Sequence, residues 1–196
     1  MKQLIIITFF LMSSVVLVAQ PTFDLGIKAG INNSKVTFRA SEYNSESIVK
    51  AHFGAFGRLG WGRIYVQPEA YFSSKGGEVF EEGTPSERAG RFDYNNIDIP
   101  VLLGVKVING GMANVRVMAG PVFSVMTSNK IDGNDLLNKQ YYEDNYFGYQ
   151  YGIGVDVSNF FIDARMEHGG ELYKHPTLDI DGKNQTFMIT VGFKIL

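Results

Sequence analysis

Three histidines, His52, His168 and His175, are the side chains in this sequence best suited to move a proton near neutral pH. His168 and His175 lie close in sequence to Glu167 and Glu171, acids able to orient an imidazole. Acyl transfer also needs a nucleophilic hydroxyl. No serine follows His168 before the next apolar stretch, so the hydroxyl would have to come from Ser73, Ser74 or Ser128. There is no G-x-S-x-G, no H-E-x-x-H and no Gly-rich phosphate loop. With no Cys, a thiol nucleophile, a disulfide, a Cys-ligated metal and a lipid-modified Cys are all excluded. Asp132-Gly133-Asn134-Asp135 and Asp179-Ile180-Asp181-Gly182 collect carboxylates, but without EF-hand spacing they read as turns. These residues assign no catalytic residue, no cofactor and no metal, and the chain reads as a non-enzyme.

A second group of polar side chains has regular surroundings. Lys28, Arg58, Glu69, Asp98, Arg116, Asp156, Asp163, Arg165, Glu167 and Lys194 are each flanked by uncharged residues. Each belongs to a stretch in which every second residue is apolar. Such alternation is the period of a strand with two unlike faces. Eight stretches show it: 23–31, 49–61, 64–72, 97–107, 113–123, 147–157, 160–167 and 187–195. No stretch after residue 20 has the apolar spacing of an amphipathic helix. The apolar faces, such as Phe23, Leu25, Ile27, Ala29 and Ile31, contain no Asp, Glu, Lys or Arg. A soluble sandwich normally interrupts its apolar face with charge at sheet edges. Clean apolar faces opposite charged, glycine-rich ones fit strands that face lipid outward and a filled lumen inward. Lipid offers no backbone partners, so the sheet must close. The fold class is therefore all-β, an eight-stranded antiparallel up-and-down transmembrane β-barrel.

The connections support that reading. Short turns fall at Gly60-Trp61-Gly62, Ile108-Asn109-Gly110-Gly111 and Ser158-Asn159, with Asn and Gly expected to supply positive φ. Long connections fall at 32–47, 74–95, 125–145 and 169–184. Strict alternation of short and long is the pattern of periplasmic turns and external loops. Trp61, Phe160 and Phe193 would form the inner membrane-interface girdle, and Phe123, Phe147 and Tyr149 the outer one. An eight-stranded barrel is just wide enough for side chains to fill it. The ten charged residues are expected to form a lumen network, with Glu69 and Asp163 pairing with Arg116 and Arg165. The 125–145 loop, with Leu136, Leu137, Tyr141 and Tyr142 among charges, is a possible surface for a protein partner.

The chain start is an address. Lys2, an apolar run from Leu4 to Val18 and small Ala19 describe a signal peptide over 1–19, shorter than the ~20 residues of a membrane helix. Residues 20–196 then form one barrel domain. The net charge of −2 over 196 residues gives no reason to expect a nucleic-acid partner. The expected surroundings are outer-membrane lipid, in a bacterial outer membrane, with the barrel a monomer.

The sequence resembles the PorT-like outer-membrane β-barrel family, and more loosely the OmpX/OmpA-type eight-stranded barrels. The residues that carry this are Phe23-Asp24-Leu25-Gly26-Ile27-Lys28-Ala29-Gly30-Ile31-Asn32, Ile97-Asp98-Ile99-Pro100-Val101-Leu102-Leu103-Gly104, Met118-Ala119-Gly120-Pro121, Tyr151-Gly152-Ile153-Gly154-Val155 and Ile189-Thr190-Val191-Gly192-Phe193-Lys194. Arg165-Met166 and Gly169-Gly170 stand where the family often has Arg-Tyr and Gly-Leu, and Leu196 ends the chain where an aromatic is common. The resemblance implies an outer-membrane barrel with a structural or loop-mediated binding role. It also opens three alternatives: an accessory of protein secretion, a small porin-like channel and a lipid-modifying enzyme.

Overall fold

The computed structural model describes residues 21–38, 43–81, 88–133, 145–174 and 181–196. These form eight strands: β1 (Pro21–Phe38), β2 (Tyr43–Trp61), β3 (Ile64–Glu81), β4 (Arg88–Asn109), β5 (Ala113–Gly133), β6 (Asn145–Val157), β7 (Phe160–Lys174) and β8 (Asp181–Lys194). Each pairs antiparallel with its chain neighbour, and β1 closes on β8 through a register running from Gly26↔Lys194 to Phe38↔Gly182. Closure leaves no unpaired edge, which is what a sheet in hydrocarbon requires. Residues 1–20, where the signal peptide is expected, lie outside the described residues.

The faces follow the alternation. Along β6, Phe147, Tyr149, Tyr151, Ile153, Val155 and Val157 are exposed, while Tyr146, Gln150, Gly154 and Asp156 are buried. The apolar wall is thus on the outside and the polar face inside, the inverse of a soluble barrel. From Phe147 to Val157 the wall rises about 25 Å at ~3.3 Å per residue and a ~40° tilt, matching the apolar band of outer-membrane barrels. Toward the outer end of this band and beyond it the outward residues turn polar: Asn33, Ser74, Asn95, Ser128, Asn145, His168 and Gln185. Ser74 Oγ donates to Asn95 Oδ1 at 2.7 Å along this rim.

Two expectations need correction. The long connections are in large part strand. β1 continues to Phe38, β3 to Glu81, β5 to Gly133 and β7 to Lys174. Pairing persists beyond the eight stretches in which clean apolar alternation announces it. Asp132 and Gly133 are accordingly strand residues, whereas Asn134, Asp135 and Asp179 lie outside the described residues, as do Leu136, Leu137, Tyr141 and Tyr142. The second correction concerns the turns. Gly62 has φ 63°, but in the β6–β7 turn the left-handed residue is Ser158 (φ 53°), not Asn159. Asn159 instead uses its side chain, whose Nδ2 lies 3.4 Å from the Lys194 carbonyl and ties the turn to β8.

Candidate functional site

The lumen is where this fold gathers its chemistry-bearing groups. Inward alternation places charged side chains from all eight strands in one column, and the largest fully buried side chains include Arg58, Arg116, Arg165, Tyr65, Tyr71 and Lys75. Burial out of water is costly for an ion unless partners replace its hydration.

The partners are present. At the inner end Lys194 Nζ lies 3.8 Å from Asp24 and 3.9 Å from Asp156. Arg58 Nη1 reaches Asp156 Oδ2 at 3.1 Å, and Arg116 Nε reaches Asp156 Oδ1 at 3.1 Å. Arg116 Nη2 also pairs with Asp163, which pairs in turn with Arg165 at 2.5 Å. Arg165 makes a two-point contact with Glu69, Nη2 to Oε1 at 2.8 Å and Nη1 to Oε2 at 2.9 Å. Lys28 closes this series on Glu69 Oε2 at 2.5 Å, its ammonium 3.8 Å from the centre of the Tyr71 ring. Gln67 accepts from Arg58 Nε and donates to Glu69 Oε1, both at 2.6 Å.

A second cluster lies nearer the outer rim. Lys75 Nζ stands between Asp98 (2.8 Å) and Glu167 (2.5 Å). Ser124 Oγ donates to Asp98 Oδ1 at 2.5 Å, and Gln150 Nε2 donates to Glu167 Oε2 at 2.8 Å and to Tyr71 Oη at 2.6 Å. Between the clusters His52 is held on both nitrogens, Nδ1 at 2.6 Å from Asn32 Oδ1 and Nε2 at 2.8 Å from Thr190 Oγ1.

Among the described residues the ion pairs join six cations (Lys28, Arg58, Lys75, Arg116, Arg165, Lys194) to six anions (Asp24, Glu69, Asp98, Asp156, Asp163, Glu167). These twelve balance in formal charge, so they are buried as paired ions rather than as net charge. All ten residues singled out in the sequence face this lumen. The four expected partners are joined, Asp163 to both Arg116 and Arg165 and Glu69 to Arg165, and the structure adds Asp156 on Arg116 and Lys28 on Glu69. Arg116 and Asp163 both pair with Gly154 across the sheet, so a side chain missing from β6 lets the guanidinium cross to β7. A Cβ added at Gly154 would collide with both groups.

Sequence reading missed Lys75, Asn32, Ser73, Asn96, Ser124 and Tyr146. The signal was weak but available. Lys75 continues the inward parity of Tyr71 and Ser73, while the outward Ser74 between them is polar, so the alternation that marks Ile64 to Phe72 stops there.

The enzyme-like groups are dispersed. Ser73 is buried in the lumen, where its Oγ accepts from Asn32 Nδ2 at 2.8 Å. Ser74 and Ser128 are on the rim of β3 and β5. His168 lies outside, on β7, stacked on Tyr149 and Tyr151 with ring centres 5.0 and 5.7 Å away. His175 lies outside the described residues. The structure brings none of these serines to His168.

The interface aromatics sit at the two ends of the apolar wall. Trp61 and Phe160 are exposed beside the inner turns, and Phe160 meets Phe193 with ring centres 4.9 Å apart. Phe123, Phe147 and Tyr149 are exposed toward the polar rim, Phe123 pairing with Phe147 and Pro121 with Tyr149.

The chain is similar to several solved outer-membrane proteins. The outer membrane protein OprG from Pseudomonas aeruginosa is 10% identical, with 89% of this chain and 95% of that one covered at a TM-score of 0.51. Neisserial surface protein A is 10% identical, covering 87% of this chain and 97% of that one at a TM-score of 0.49. Ail, the attachment invasion locus protein of Yersinia pestis, is 14% identical over 88% of this chain and 98% of that one, with a TM-score of 0.44. No curated protein matches the chain in sequence. The family model described as an outer membrane protein beta-barrel domain matches residues 18–169. A closed barrel with its apolar face outside, its ions inside and that family match together show that the chain belongs to the outer membrane protein β-barrel domain family.

Proposed function

We propose that this outer-membrane protein is a non-enzymatic, plugged barrel, exported by its 1–19 signal and monomeric, whose role in the envelope is structural or rests on recognition by the sheet and connections above the rim. The observation that carries this is the cross-brace Arg116–Asp163–Arg165–Glu69–Lys28. It spans the lumen from β5 through β7 to β3 and β1, and every side chain in it is fully buried. An ion crossing the barrel would have to part buried pairs whose separation exposes charge to a dry interior. What remains free for recognition is the part of the sheet beyond the apolar band, where β4 and β5 extend as a paired ribbon to Gly90↔Gly133.

The test is a planar-bilayer recording of the purified, folded barrel. The membrane is expected to stay at baseline at about ±100 mV. Stable, reproducible conductance steps from wild-type protein, absent in a denatured control, would replace the plugged reading with the channel reading.

A further inference from the structure

The outer wall carries a groove among the described residues. Between β5 and β8 a shallow groove of about 390 Å³ runs over Val117, Ile153, Ala164, Met166 and Phe187, its floor formed where Gly152 and Ala164 leave the wall thin. Its size falls within the ~300–1,000 Å³ range of small-ligand clefts. Tyr151 forms its upper end.

Directly above the groove three rings lie nearly parallel. Tyr149, Tyr151 and His168 have centres 5.0–6.3 Å apart and interplanar angles of 12–21°. Gln185 Nε2 lies 3.4 Å from His168 Nδ1, and His168 Nε2 lies 3.3 Å from Tyr151 Oη. An amide NH₂ can only donate, so Nδ1 accepts and the imidazole proton sits on Nε2. Nε2–H then donates to Tyr151 Oη, which leaves the Tyr151 O–H as a donor without a partner in that series. Tyr151 is 45% exposed on the outer wall. A hydroxyl donor is thus presented at the top of an apolar groove, beside His168 and Gln185, where the outward residues of β7 and β8 turn polar.

The geometry points to a lipid-binding site: one acyl chain of an outer-leaflet glycolipid lies in the groove over Ala164, and the ester or phosphate oxygen at its head accepts from Tyr151 Oη. The occupant follows from position. The groove opens onto the face that the fold turns toward hydrocarbon, and its one polar end is a donor at the level of the lipid's acceptor groups. Protein partners would approach from above the rim, where Asn33, Asn145 and Gln185 stand.

Native mass spectrometry of the folded barrel in detergent, titrated with purified lipid A, tests this. Wild type is expected to carry one tight adduct. Ala164→Phe fills the groove from outside and is expected to weaken that adduct at least tenfold, and Tyr151→Phe several-fold. Ala70→Phe, an outward change on β3, is expected to leave it intact. Heat-modifiable gel migration checks that each variant is folded. If Tyr151→Phe and Ala164→Phe retain wild-type adduct, or Ala70→Phe loses as much as Ala164→Phe, the lipid is only annular and the site is refuted. Neither result bears on lumen conductance, which tests the plugged reading separately.

Discussion

Arg165 bridges two buried carboxylates, Glu69 and Asp163, and removing it leaves them to Lys28 and Arg116 alone, each short of one partner and with one negative charge in excess in a dry interior. A buried pair adds little over an apolar filling, but breaking one by deleting a single partner is expensive. Arg165→Ala is therefore expected to lose about 3–5 kcal/mol of folding stability, read as a shift in the urea midpoint in micelles. Adding Glu69→Gln removes one stranded charge, so the double variant should be more stable than the two single losses added together. Simple additivity would show that Arg165 and Glu69 do not act as a unit. At this scale the ten ions with apolar neighbours can be assigned to a face from alternation alone. Lys75 cannot, because a lysine beside Ser73, Ser74 and Gly76 looks like loop.

At the scale of the strand, glycine sets how closely the inner wall can be packed. Gly54 on β2 faces Tyr71 on β3, and a Cβ there would meet the Ala70 carbonyl and the Tyr71 backbone at less than contact distance. No rotamer change relieves a clash with backbone. Gly57, three residues on, faces open wall, with Phe23 and Pro68 each 4.0 Å from an added Cβ. Gly54→Ala should cost about 1–3 kcal/mol by overpacking, while Gly57→Ala should stay within about 0.5 kcal/mol of wild type. Equal unfolding midpoints for the two variants would contradict this account. A glycine count in the sequence announces a crowded interior, but only the register shows which glycine meets a neighbour.

For the whole molecule the decisive quantity is height in the membrane. Leu103 stands in the middle of the outward run of β4, 58% exposed, and Val107 near its inner end, 47% exposed. Their similar exposure makes depth the variable that separates them. Leu103→Arg should lose about 2–4 kcal/mol in vesicles and Val107→Arg about 0–1 kcal/mol. A soluble barrel would show no such gradient, so equal losses at the two positions would count against the membrane placement. The inner ion column, by contrast, lies beyond the reach of mobile salt, which screens exposed charges over about 10 Å at 0.1 M but buried pairs much less.

The sequence alone determined the class of this protein. Strict period two with charge confined to one face leaves a single arrangement in which lipid, backbone hydrogen bonds and buried ions are all satisfied, and the eight runs and three tight turns state its topology. That information is local, because alternation needs only neighbouring residues. Which ions pair was decided by the tertiary structure, since Lys28 and Glu69, or Arg58 and Asp156, meet only after strands far apart in the chain are brought into register. So were the extension of the strands above the rim, beyond the reach of the clean apolar alternation, and the groove over Ala164, which exists only between curved, closed neighbours. Alternation fixes which way a side chain points; closure of the sheet fixes what it meets there.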